Sequence, residues 1–177
     1  RYTDARPHLE AAREIFPDYG GPDSPYWYLA QAHMGVGDLT SAAQALSQLV
    51  QRSESNYDAY TMHADVLAQL NRPKEAADAL DKAVLVWPYE IELHQRLAKL
   101  HAEVGNYPQA LRERAAVVAL NPTDKAQALY ALAIAYQEAG DLIGARRAVL
   151  QSLEIAPNFD AALELLLVLR SGLMEKA

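Results

Sequence analysis

The sequence predicts an all-α fold, a stack of antiparallel helical hairpins, and three observations carry that prediction. Apolar residues recur at helical spacing almost throughout, and no stretch alternates as a strand would. Alanines return at a fixed interval: Ala30, Ala64, Ala98 and Ala133 form one column and Ala42, Ala76, Ala110 and Ala145 a second, at steps of 34, 34 and 35 residues. Between the columns stand the corners Gly37-Asp38, Asn71-Arg72-Pro73, Gly105-Asn106 and Gly140-Asp141, and Pro88, Pro122 and Pro157 close the units at matching distance.

The period divides the chain into residues 1–22, a half repeat and turn, then four full units at 23–56, 57–90, 91–124 and 125–159, then residues 160–177, a capping helix and tail. In the first segment Ala5, Leu9, Ala12 and Pro17 match the second half of a unit, so the chain is expected to open inside a repeat; with Arg1 in place of Met, this suggests a processed chain or an excised piece. Tyr19-Gly20-Gly21-Pro22 then lengthens the turn by three residues. In each full unit the first helix carries a pair of large core residues: Tyr26 and Leu29, Tyr60 and His63, His94 and Leu97, Leu129 and Leu132. Each first helix stops at a residue able to take a left-handed backbone, as Gly140 can, and an Asp such as Asp141 can cap the next helix through its side chain. The surplus residue of the step of 35, near Lys125, is expected in a turn. In the last segment Leu163, Leu166 and Leu167 continue the core pattern, and the surplus Leu165, Val168 and Leu169 either curl against the preceding hairpin or form a candidate interface with a second subunit or domain.

Alanine at the paired sites has a mechanical reason. A Leu at Ala64 or Ala110 would push the two helices of a hairpin apart, at a cost of about 1–3 kcal/mol. Each hairpin also leaves one apolar face bare until a neighbour stacks on it, so such units are stable in arrays.

Period, alanine columns, corner residues and closing prolines together resemble the tetratricopeptide repeat, from about Asp23 to Phe159. The expected tyrosine after the first alanine is present as Tyr136, with His33, Leu67 and His101 at the equivalent sites. The resemblance implies a right-handed superhelix whose first helices line a concave groove, where a protein or peptide partner binds without a cofactor. The groove side chains would be Trp27, Gln31 and Met34, then Thr61 and Asp65, then Gln95 and Lys99, then Tyr130, Ile134 and Gln137, with Trp27 and Tyr130 as aromatic anchors. Members that grip acidic chaperone tails use a clamp of Lys, Asn and Arg; only Arg96 here resembles it. With Asp58, Asp65, Glu92 and Glu103 near the same side, a neutral or mildly basic partner is the expectation.

Composition narrows the alternatives. A formal net charge of −7 with scattered basic residues argues against a nucleic-acid surface, and no run reaches the apolar length of a membrane helix. Cysteine is absent, which removes disulfides and thiolate metal sites and leaves cytoplasm and periplasm both open. No HExxH, GxSxG or GxxxxGK[ST] motif occurs. Of the five histidines, His33, His63, His94 and His101 fall on core positions of the repeat, which displaces a metal pair made of His94 and His101; Glu113 and Glu138 read as solvated carboxylates. The expectation is therefore a non-catalytic scaffold with no metal and no cofactor. Two alternatives stand beside it. One is the accessory tail of a larger bacterial enzyme, since the block from Tyr19 to Arg170, through the fragment Ser24 to Ala30, looks like repeat tails that follow gluzincin-type metallopeptidase domains. The other is a homo-oligomer joined through the C-terminal helix.

Overall fold

The computed structural model describes residues 2–174; Arg1 and residues 175–177, the end of the expected tail, lie outside the described residues. The described residues form ten helices and no strand: α1 (Tyr2–Ile15), α2 (Pro25–Gly35), α3 (Leu39–Arg52), α4 (Tyr57–Gln69), α5 (Pro73–Val86), α6 (Ile91–Glu103), α7 (Tyr107–Ala119), α8 (Lys125–Glu138), α9 (Leu142–Ile155) and α10 (Asp160–Met174). They fall into two compact units divided after Pro88, the first with α1 to α5 and the second with α6 to α10. The pairs α2–α3, α4–α5, α6–α7 and α8–α9 are the hairpins of an all-α repeat array.

All eight column alanines are buried, none more than 2% exposed, so the small side chain sits where the helices of a hairpin meet most closely. Every hairpin turns through the same corner. Gly37, Asn71, Gly105 and Gly140 take φ of 78°, 57°, 75° and 82°, and the next amide donates back across the turn, as Asp141 N–H does to the Tyr136 carbonyl at 2.9 Å. Asn71 takes glycine's place because its short polar side chain tolerates the left-handed region. Side-chain caps start α3, α4, α8 and α9: the Asp38, Asn56, Asp124 and Asp141 oxygens accept from the amides of Ser41, Ala59, Gln127 and Gly144 at 2.8–3.0 Å.

In the first unit the long turn after α1 is strapped to the array. The Tyr26 hydroxyl donates to the Pro17 carbonyl at 2.6 Å, Arg52 Nε donates to the same oxygen at 2.5 Å, and the Arg52 guanidinium lies 4.5 Å from the centre of the Tyr26 ring. Ser24 Oγ donates to the Tyr19 carbonyl at 2.8 Å. Gly20 passes so close that a Cβ there would lie 2.8 Å from the Arg52 carbonyl oxygen. These contacts seat α1 against α2.

In the second unit two expectations are corrected. Lys125 does not lengthen a turn; Asp124 is the cap and Lys125 the first residue of α8, so the surplus residue is absorbed at a helix start. On α10 the buried side carries Ala162, Leu165, Leu166 and Leu169, whereas Leu163 and Leu167 are 41% and 66% exposed. The reason lies in the columns. Leu163 continues Tyr26, Tyr60, His94 and Leu129, and Leu167 continues Ala30, Ala64, Ala98 and Ala133, sites that each full unit covers with its own second helix. No such helix covers α10 among the described residues.

Candidate functional site

First-helix side chains not buried in a hairpin are the candidate recognition surface, and each unit presents its own. In the first unit Trp27 is half-buried: it packs with Val50 on Tyr26, Leu49 and Ala59, and it also lines a cavity of about 500 Å³ with Gly20, Gly21, Pro22, Tyr57 and Asp58. Gln31, Met34 and Thr61 are half-buried and Asp65 is exposed. The Thr61 hydroxyl donates to the Asp58 carbonyl at 3.1 Å.

In the second unit α6, α7 and α8 enclose two adjoining cavities, of about 360 and 420 Å³. Lys99 and Ile134 line the first, and Gln95 and Gln127 the second. Lys99 Nζ lies 3.9 Å from Glu103, an exposed contact of little energetic weight. Tyr130 lines neither; its ring packs on Phe159 with centroids 5.1 Å apart, within the α8–α10 core. Gln137 is half-buried and also outside both. Of the five groove side chains expected from residues 91–159, Gln95, Lys99 and Ile134 line these cavities, whereas Gln137 does not and Tyr130 is tied to the core.

Leu165, Val168 and Leu169 do not make one face. Leu169 is 1% exposed inside the core, Leu165 packs against that core, and Val168 is 56% exposed beside Leu167. Spacing alone set the phase of this helix wrongly, because the columns say which sites meet a second helix and not whether one follows.

The histidines divide by surroundings. His94 and His101 are buried; His33 Nδ1 lies 3.3 Å from Asp38, whose carboxyl is held below its usual range chiefly by its bonds to Ser41. His63 lines a cavity of about 890 Å³ between α3, α4 and α5 with Tyr60, Glu75, Asp78 and Lys82. Burial first, and Arg72 next, push the His63 imidazole below its usual range, with Glu75 opposing. Glu113 is not a solvated carboxylate. It is 3% exposed, its Oε2 shares a 2.6 Å hydrogen bond with His94 Nδ1, and its Oε1 accepts from Arg112 Nε at 2.8 Å. The sites equivalent to Glu113 hold Ala45, Ala79 and Ala148, small residues that mark the column as a close-packed one, and all four are buried. Among the described residues no three His, Cys, Asp or Glu side chains gather as metal ligands would, and no helix is long and apolar enough to cross a membrane.

No curated protein matches the sequence. The fold is similar to that of YrrB, described as a TPR protein with an unusual peptide-binding site, with a TM-score of 0.65 and 21% identity over 92% of this chain and 82% of that one. MamA from Desulfovibrio magneticus RS-1, residues 41 to the end, gives a TM-score of 0.61 at 21% identity, with 82% of each chain covered. The first TPR of Spaghetti (RPAP3), bound to the HSP90 peptide SRMEEVD, gives 0.56 at 20% identity over 69% of this chain and 96% of that one. The tetratricopeptide repeat profile itself matches residues 29–89 and 96–161, more than half of the sequence. Left-handed corners, buried alanine columns and a profile that spans both units agree, and the chain belongs to the tetratricopeptide repeat family.

Proposed function

We propose that the chain is a non-catalytic scaffold that binds a peptide or helix of a partner protein along the first-helix faces of its units. The observation that carries the reading is the groove between α6 and α8, where two adjoining cavities offer apolar walls with a few polar and charged groups. Two structural relatives are described as peptide-binding or peptide-bound, which supports the same use here. In the first unit Trp27 is the aromatic anchor beside the turn at Gly20.

A groove of this kind binds at about micromolar strength, about −8 kcal/mol. The test is selection from a displayed peptide library on the whole chain, followed by titration of the best binder against Trp27→Ala and Ile134→Ser variants whose helicity matches the parent. Each is expected to weaken binding by at least about 1 kcal/mol. A binder whose affinity neither variant changes would place recognition off the first-helix faces.

A second reading is self-association through α10, favoured by the exposure of Leu163, Leu167 and Val168 at 41%, 66% and 56%. Light-scattering mass that stays monomeric at high concentration discards it.

A further inference from the structure

In three of the four units one second-helix site holds a fully buried aliphatic residue: Leu46, Leu80 and Val149 are all 0% exposed. The fourth member of that column is Arg114. It is half-buried on α7, at the floor of the groove between α6 and α8, and it lines both cavities there. Among the described residues its guanidinium makes no hydrogen bond and no ion pair. The adjacent carboxylate, Glu113, is turned away to His94 and Arg112. Glu138 attracts the guanidinium without pairing with it, while burial opposes its charge. An arginine keeps its charge regardless, and a half-buried guanidinium without a protein partner is left free to receive an anion.

We propose that Arg114 is an anion-receiving site that takes one aspartate or glutamate side chain from within an extended partner peptide lying between α6 and α8. The site rests on the scaffold reading above and gives it a specificity. Planar guanidinium and carboxylate match in a two-pronged hydrogen bond. The anion belongs to a peptide interior because cavity space opens on both sides of Arg114, toward Lys99 and Ile134 in one direction and toward Gln95 and Gln127 in the other, so a strand can run on past it both ways. Glu103 and Glu138 stand at one cavity and Asp124 at the other, so a second acidic residue in the peptide is repelled. The recognised segment is one acid set in neutral or basic surroundings, which agrees with the acidic first-helix faces.

The probe is a pool of N-acetylated, C-amidated nonapeptides with a central aspartate or glutamate and non-ionisable residues elsewhere. The matched pool has asparagine or glutamine at the centre. Nitrogen-resolved NMR on the whole chain reads the Arg114 Nε–H signal and the amides of Gln95 and Ile134. The acidic pool is expected to move all three and to bind at least tenfold more tightly than the amide pool, and Arg114→Leu, which restores the residue of the equivalent sites, is expected to remove that difference while keeping the fold. Arg114→Gln checks that the loss follows the charge and not the filled cavity. Equal binding of the two pools on α6 and α8 overturns the anion site and leaves the scaffold reading standing. An acid preference that survives both variants also overturns it. No shift with either pool overturns the site and counts against the α6–α8 groove as a peptide surface.

Discussion

His94 Nδ1 and Glu113 Oε2 lie 2.6 Å apart across the α6–α7 hairpin, with both side chains buried. The other units place Tyr26 and Ala45, Tyr60 and Ala79, and Leu129 and Ala148 at the same two sites, all buried. Removing one partner of a buried polar pair strands the other, so Glu113→Ala or His94→Leu is each expected to destabilise the chain by about 3 kcal/mol. The double variant, which copies the last unit, is expected to cost less than either single change. A double-mutant cycle from urea midpoints measures the coupling, and simple additivity would show that the pair does not act together.

His63 carries a pH signature. Its folded pKa is lowered by burial and by Arg72, so the unfolded chain binds the proton more readily. The stability it contributes is whole above the ordinary histidine value, about pH 6.5, and is lost as pH falls through the lowered folded value. His63→Leu installs the residue of Leu29, Leu97 and Leu132, all buried. Thermal midpoints recorded from about pH 7.5 down to about pH 5.5 are expected to fall less steeply for the variant. Parallel curves would assign the slope to other groups.

The helix caps make a local prediction. Asp141→Ala removes the oxygen that accepts from the Gly144 amide at 2.8 Å and is expected to cost about 1 kcal/mol. Amide exchange should accelerate first in the opening turn of α9. Uniform acceleration along the chain would show instead that the cap stabilises the array as a whole.

At the other end, Tyr26→Phe removes the hydroxyl that holds the Pro17 carbonyl and is expected to cost about 1 kcal/mol. Because Arg52 grips the same carbonyl, α1 should stay docked in this variant and lose protection once Arg52→Ala is added. Exchange across residues 4–15 separates the two cases.

Periodicity made the repeat legible because covalent spacing and packing coincide there: the alanine columns, Gly140 and Asp141 perform in the folded chain the roles their spacing implies. Where a column breaks, spacing says only that something differs. It does not say that Glu113 turns inward to His94, or that Arg114 is left facing open space. Those outcomes depend on which neighbours reach the side chain, and no periodic signal encodes them. Tyr130 shows the converse, since its groove-facing column fits, yet Phe159 from the following turn captures the ring. The reversed phase of α10 has the same origin, for Leu167 copies the alanine column without the helix that makes alanine necessary.

Each substantial helix pair in both units joins neighbours in the chain, from α1 with α2 to α9 with α10. Folding then needs no distant segment to arrive before contacts begin to hold, so hairpins can form rapidly and in any order. Chain motion should be equally parochial. A strained hairpin can open and close while its neighbours remain shut, and wear from heat, proteases or force should be recorded as a gradient along the array, starting wherever the weakest corner happens to be.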